Sequence, residues 1–474
     1  MTKRFYILFL SITVVFSAHS QPALRQFTNN PALRHASVGV QVTDLKTGKT
    51  VASHDSQKSL TPASITKIIT TATALELLGG DYRYSTHVAL DEDNPERILV
   101  IGSGDPTLGS EAFGNNAYDF FEKSAEALKK ALDPEKIFSI YVVDNLFGYN
   151  GISPEWTWID MGNYYAAGAY GISVFDNSYK LVFNTMNRLS APEILRTEPE
   201  IKGLTFVNEL TLNTSGSDNG YIYGTPFSYD RSVRGNIPAG RSEFSIKGDI
   251  PDPGMLLGET LANYLRNAGI NISKVETAHM DYISKNKTPC KVGKIIHAQA
   301  SPPLKDIVRE VNVKSNNHFA EHLIRTIGRS QNGDAYNDAL QGGIDFIHKF
   351  WTQEGVSTTS LTLYDGSGLA PQNAFCAAML TDILYVMYNN SKESKQFIAS
   401  LPIAGKEGTL ANFMKNTKHE GKIIAKSGSI GGVHCYSGYL LDGEKQYAFT
   451  VMVNKFNGTR PQVRSAIEKF LQSL

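Results

Sequence analysis

The sequence predicts an α+β protein: an antiparallel sheet flanked by helices, with a large inserted region of one or two smaller mixed or β-rich domains. Three observations carry that prediction. Both ends of the chain show alternating apolar runs joined by tight turns, the pattern of antiparallel hairpins. Helical periodicities adjoin both ends, and one closes the chain. Between them, over 83–287, the texture changes to short β-like runs broken by Gly, Asn, Asp and Pro. A hairpin, helices, strands and a closing helix together make one sheet-and-helix domain.

The elements follow in order. Lys3 and Arg4 give a positive start, Phe5 to Phe16 a short apolar run, and Ala18-His19-Ser20 the small residues of a cleavage site. The expectation is a cleaved export signal over 1–20, which leaves Gln21 as the first mature residue. The apolar run is shorter than the roughly 20 residues a membrane span needs. No later stretch is apolar enough, so no stable membrane span is expected. Val38, Val40 and Val42 then alternate with smaller or polar residues, "DLKTGKT" turns around Gly48, and "TVAS" returns. A helix begins near Ser64, with Ile65, Ile68, Ile69, Ala72 and Leu75 on one side, and Gly79-Gly80 ends it. In the insertion, "RILVIG" and "SIYVVD" read as strands. Helical texture returns in "SPPLKDIVREVNVKSNNHFAEHLIRTIG". Strands through "KIIAKSGSI", "YSGYLL" and "QYAFTVMVN" follow, the last two joined by a "DGEK" turn. Val463, Ile467, Phe470 and Leu471 mark the closing amphipathic helix. The expected division is 21–82 and 288–474 for the main domain, with 83–287 inserted.

Composition narrows the function. Lys+Arg and Asp+Glu are both 46, so the formal net charge is zero and the basic footprint of a nucleic-acid binder is missing. Cys290, Cys376 and Cys435 are too few, and odd in number, for a disulfide framework. One pair could bond, but the sequence does not say which.

Chemistry enters at "PASITKIITTATALELLGG", Pro62 to Gly80. Ser64 and Lys67 are spaced to share a helical face. A serine hydroxyl becomes a nucleophile only with a base in hydrogen-bond reach, and a lysine amine one turn on supplies one. Alone, the pattern fits a helix-capping serine better, and "SKNK" at Ser284 to Lys287 matches it too. Two companions select the catalytic reading. One class of serine acyl transferases carries Ser-x-x-Lys, Ser-x-Asn and Lys-Thr/Ser-Gly in that order. Ser315-Asn316-Asn317 and Lys426-Ser427-Gly428 complete the set here. Decoys exist at Ser217 to Asn219 and at Lys46 to Gly48. The first lies in a Gly/Asn-rich turn, and the second precedes the serine at a hairpin tip. A different class of chemistry is spelled by "HFAEH": His318 and His322 one turn apart could hold Zn²⁺ with Glu321 as base. No motif supplies the third protein ligand.

With these motifs in place, the chain resembles the class C low-molecular-mass penicillin-binding proteins, the D-alanyl-D-alanine carboxypeptidase/endopeptidase family. "GSGDPTL", "VVDNLFG", "LGETLANYLRNAGI", "DGSGL", "LPIAGKEGTL" and "AKSGSI" also look like its signatures, in its order. The resemblance implies a penicillin-recognising (β-lactamase/transpeptidase-like) main domain and a periplasmic enzyme acting on peptidoglycan stem peptides. It implies a covalent acyl-enzyme on Ser64, also formed with β-lactam antibiotics. Lys67 takes the serine proton. Ser315 relays a proton to the leaving amine and Lys426 tunes that relay. Asn317 binds the substrate backbone, and the N–H groups of Ser64 and Ser429 form the oxyanion hole. Ser427, beside Gly428, reads the terminal carboxylate. No metal or organic cofactor is implied. Two departures are modest: Ser427 stands where many relatives have Thr, and Ala370 where many have Ser. A catalytically inactive binder of cell-wall peptide is the remaining alternative, and the intact motifs speak against it.

Overall fold

The computed structural model describes residues 20–114, 116–187, 191–331 and 338–474. The expected export segment, apart from its last residue, lies outside the described residues.

The main sheet has five strands, all antiparallel, in the order Ile423–Ile430, Val433–Asp442, Lys445–Asn454, Ser37–Asp44, Thr50–His54. The two chain ends thus interleave in one sheet, with the N-terminal hairpin added beside the C-terminal strands. Side chains alternate across a strand, and both faces are covered here. Phe449, Val451 and Val453 pack with Val40, Val42 and the closing helix Arg460–Gln472. Ala448 and Met452 of the same strand turn the other way, toward a helical layer. That layer holds Thr66–Leu78, Leu304–Lys314, Asn317–Gln331, Ala339–Gln353 and Ala377–Asn389. The helix Ser20–Thr28 rests on the closing helix, with Phe27 stacked on Phe470.

The insertion builds three more sheets. A mixed five-stranded sheet runs Asn271–Thr277, Ile137–Val143, Arg97–Ile101, Ser85–Asp91, Val292–Ala300. Helices Asp119–Ala131 and Pro253–Asn267 cover it through a core including Val100, Phe121, Ile140, Leu257 and Leu261. Two three-stranded sheets share a second core around Tyr179, Leu181, Phe183, Ile222 and Val233. One boundary moves. Val292–Ala300 pairs antiparallel with Ser85–Asp91, so the chain leaves the insertion after Ala300 and not at 288. That strand lies at the edge and is mostly exposed, so it lacks a clear buried alternation. The three cysteines are all free, which settles the open pairing.

Candidate active site

Ser64 lies on a short 3-10 turn, Ala63–Ile65, that runs into the helix Thr66–Leu78. The sequence places it on the helix's first turn; the structure puts it just before, on the tighter turn. Asn454, at the end of a central strand, pins the approach: it accepts from the Thr61 N–H at 2.8 Å and donates to the Thr61 carbonyl at 2.9 Å. Ala63 is held at φ 48, a left-handed conformation that costs a non-glycine residue about 1–2 kcal/mol. Gly368 presses on it from the other side. A Cβ there would sit 2.0 Å from the Ala63 carbonyl oxygen.

Lys67 is fully buried. Its Nζ lies 3.1 Å from Ser64 Oγ, 2.7 Å from Asn317 Oδ1 and 2.6 Å from the Ser367 carbonyl. Burial pulls its pKa down to about 7, against the opposing negative charges of Asp365 and Glu321. This geometry suits both protonation states. The ammonium donates to all three oxygens. The neutral amine donates to Asn317 and Ser367 and turns its lone pair to the Ser64 proton. A proton can therefore pass without rearranging the site.

Ser315 stands between the helices Leu304–Lys314 and Asn317–Gln331 with φ 61, a left-handed link that lets the chain reverse. Its Oγ accepts from Lys426 Nζ at 2.9 Å, and Lys426 also donates to the Ser427 carbonyl at 2.8 Å. Lys426 is fully buried, and its pKa falls well below the ordinary lysine value, chiefly through burial and then through the Lys67 charge. Asn317 is held at both ends: its Nδ2 donates to the Tyr165 carbonyl of the insertion at 2.8 Å. The strand Ile423–Ile430 passes close to the serine turn. A Cβ on Gly428 would lie 2.6 Å from the Pro62 carbonyl and 3.0 Å from the Ser64 nitrogen, so only glycine fits. Ser427 is half-buried and Ser429 exposed beside it. The three motifs thus adjoin: Lys67 touches Ser64 and Asn317, Lys426 touches Ser315, and Gly428 packs on the Ser64 turn with Ser427 and Ser429 on either side of it.

Other contributors to this site were not assigned to it from the sequence. Asp365 accepts from the N–H groups of Gly368 and Ala370, from Asn373 Nδ2 and from Trp156 Nε1 of the insertion, at 2.6–2.9 Å. Glu321 Oε1 accepts from the N–H groups of Gly366 and Ser367 at 3.0 and 2.9 Å, while Oε2 pairs with Arg325 at 2.7 Å. Together they fix the "DGSG" loop, and hence the Ser367 carbonyl that Lys67 touches. "DGSGL" signalled the loop without its role. Nothing in a sequence signals a backbone carbonyl such as that of Tyr165.

Two of the three polar residues of "HFAEH", Glu321 and His322, are otherwise engaged. Glu321 serves the loop and Arg325. The His322 ring lies between Ser173 Oγ at 2.8 Å and the Gly104 carbonyl at 2.9 Å. No three His, Cys, Asp or Glu side chains gather as a metal set among the described residues. The decoys lie apart. Ser284 caps a short helix by bonding the Met280 carbonyl, and Lys46–Gly48 stays at its hairpin tip.

The profile of the D-Ala-D-Ala carboxypeptidase 3 (S13) family matches residues 20–474. A D-alanyl-D-alanine carboxypeptidase of Actinomadura sp. (strain R39) is 28% identical over 91% of this chain and 80% of its own length. The crystal structure of penicillin binding protein 4 (dacB) from Haemophilus influenzae superposes with a TM-score of 0.77 at 17% identity. It covers 95% of this chain and 97% of that one. The same protein complexed with a β-lactam gives a TM-score of 0.72 at 17% identity, again over 95% and 97%.

Proposed function

The chain belongs to the D-Ala-D-Ala carboxypeptidase 3 (S13) family of serine-type hydrolases, and on that premise we propose that it cleaves D-Ala-D-Ala ends of peptidoglycan stem peptides through an acyl-enzyme on Ser64. The observation that carries this reading is the buried Lys67 amine, 3.1 Å from Ser64 Oγ with a pKa near 7.

In the proposed reaction, neutral Lys67 takes the Ser64 proton as Oγ attacks the carbonyl carbon of the penultimate D-Ala. The N–H groups of Ser64 and Ser429 receive the developing oxyanion, and each such donor is worth about 10²–10³ in rate. The C–N bond then breaks. The proton taken by Lys67 passes on through Ser315, beside the Lys426 amine, to the leaving nitrogen, which departs as the amine of free D-Ala and leaves Lys67 neutral again. Water next attacks the ester, gives its proton to the base, and frees Ser64 with a carboxylate on the shortened peptide. Ser427 donates to the terminal carboxylate, and Asn317 orients the substrate backbone. A β-lactam ring presents a comparable amide to Ser64, so penicillins should acylate it. The family and the export signal read in 1–20 favour the periplasm as the place of action.

Labelling tests the reading. Fluorescent penicillin followed by peptide mapping should place one label on Ser64, and Ser64→Ala should take none. Label on Ser284, or full labelling of Ser64→Ala, overturns it.

A further inference from the structure

One stretch of the insertion, 151–165, touches the surroundings of Lys67 at three points. The Gly151 carbonyl accepts from Arg325 Nη2 at 3.0 Å. Trp156 Nε1 donates to Asp365 Oδ2 at 2.9 Å. The Tyr165 carbonyl accepts from Asn317 Nδ2 at 2.8 Å. Each of the three partners leads back to the Lys67 amine. Asn317 meets it directly, at 2.7 Å. Asp365, and Arg325 by way of Glu321, fix the loop whose Ser367 carbonyl lies 2.6 Å from it.

The stretch is fastened at both sides. Trp156 and Ala166 share a small core with Leu369 and Ala370, so the indole lies against the loop it serves. At Gly162 the chain runs against the second core of the insertion. A Cβ there would lie 2.5 Å from the Ile222 carbonyl oxygen, and φ is 98, so glycine is required. Asn163 Oδ1 accepts from the Ile222 N–H at 3.1 Å, and the Gly162 carbonyl accepts from the Asp249 N–H at 3.0 Å. The stretch is thus a strap between the insertion and the loop under Lys67.

One of its contacts bears on charge as well as on position. Lys67 faces charged groups from three elements: Asp365 on the loop, Glu321 on the helix Asn317–Gln331 and Lys426 on the strand Ile423–Ile430. Glu321 is paired with Arg325. Asp365 is compensated by neutral donors: two backbone N–H groups, the Asn373 amide and the Trp156 indole. The indole is the one of these four that the insertion supplies. Without it more of the carboxylate's charge would reach Lys67, and a negative charge nearby favours the ammonium over the neutral amine.

We propose that Trp156 is a positioning residue, through which the insertion sets both the place and the charge of the Lys67 base. This rests on the function proposed above, in which Lys67 takes the Ser64 proton. The indole N–H fixes Asp365, and with it the Ser367 carbonyl on which the amine rests. It also weakens the Asp365 field at the amine, so that the neutral form is populated near pH 7.

The test uses two changes at this position. Trp156→Phe keeps an aromatic ring against Leu369 and Ala370 and removes the N–H. Benzothienylalanine in place of Trp156 keeps the whole ring shape, with sulfur where the N–H was, and decides the matter if the Phe variant does not fold. The readout is the rate of Ser64 acylation by fluorescent penicillin from pH 5 to 9. A nearby opposite charge shifts a pKa by about 1–3 units, so baring part of one should raise the midpoint by about half to one unit. Acylation at pH 7 should then fall about two- to fivefold, while the rate at pH 9 stays within about twofold of wild type. Trp351→Phe is the control. Its indole donates to Thr73 Oγ1 at 2.9 Å on the helix that carries Lys67, a buried bond to an uncharged partner. That change should leave the midpoint where wild type has it. A lower rate at every pH with an unmoved midpoint would make Trp156 a packing residue and overturn the inference alone. So would a downward shift, or an equal shift in Trp351→Phe. A wild type whose acylation does not rise through pH 7 removes Lys67 as the base and brings down the underlying reading and this inference with it.

Discussion

The surroundings of Ser64 and the inserted half of this chain differ in which charges they bury. Around Ser64, five charged side chains (Lys67, Glu321, Arg325, Asp365 and Lys426) are fully buried. In the insertion, pairs such as Lys123–Asp119, Arg196–Glu243 and Arg234–Glu209 lie open to water. The charge the insertion does bury is mostly carboxylate (Asp91, Asp105, Asp144 and Asp252), together with the Arg231–Asp249 pair, and none of its described lysines is buried. Buried charges are costly unless each is paired and hydrogen-bonded. The catalytic half meets that condition by meshing Glu321 with Arg325 and the loop N–H groups, and Asp365 with four donors. The difference teaches where the molecule trades stability for reactivity: a lysine kept dry enough to be neutral near pH 7 requires a surround of compensated charge.

The largest effect should follow from altering that lysine. Lys67→Arg keeps a cation that cannot give up its proton. Acylation should fall by about 10²–10⁴, the usual contribution of a general base, with the fold unchanged by circular dichroism. Near-normal acylation would move the base elsewhere. Next comes its support. Arg325→Met strips the buried Glu321 of its partner and should cost about 3–5 kcal/mol of stability, read by urea unfolding. A loss under 1 kcal/mol would mean the pair is not what compensates Glu321. Ser427→Ala should lower kcat/KM by about ten- to a hundredfold, since a hydrogen bond to a carboxylate is worth about 1.5–3 kcal/mol. Ser427→Thr should be nearly silent. The alanine variant should also lose preference for a free carboxylate over its amide; a wild type indifferent to that change would remove Ser427 from carboxylate reading. Smallest of all, Arg196→Met in the insertion should leave the melting temperature unchanged. A drop comparable to that of Arg325→Met would erase the contrast between the halves.

Much of the site was legible because side-chain identity at fixed spacing carries it. Ser64 with Lys67, Ser315 with Asn317, and Lys426 to Gly428 were picked out by motif and order, whereas Ser429 came only from the family resemblance. The hairpin, closing strands and last helix were legible from alternation and period. Other parts were not. The serine's 3-10 turn depends on Gly368 and Asn454, distant in sequence. Glu321 suggested only the disfavoured zinc alternative, because helix spacing cannot reveal that its Oε1 faces a loop 45 residues on. The strand Val292–Ala300 was missed because an exposed edge has one poorly buried face, and "SKNKTPCK" before it reads as a linker.

The central claim is that burial makes Lys67 a neutral base near pH 7. Its folded pKa of about 7 lies below the ordinary lysine value, so the reactive neutral form grows as pH rises through 7 and is scarce below it. The most direct measurement is the rate constant for acylation of Ser64 by fluorescent penicillin from pH 5 to 9. The account predicts a rise of about tenfold per pH unit below 7, a midpoint near 7 and a plateau above about 8. A rate that is flat across the range, or one still climbing tenfold per unit at pH 9, would contradict it.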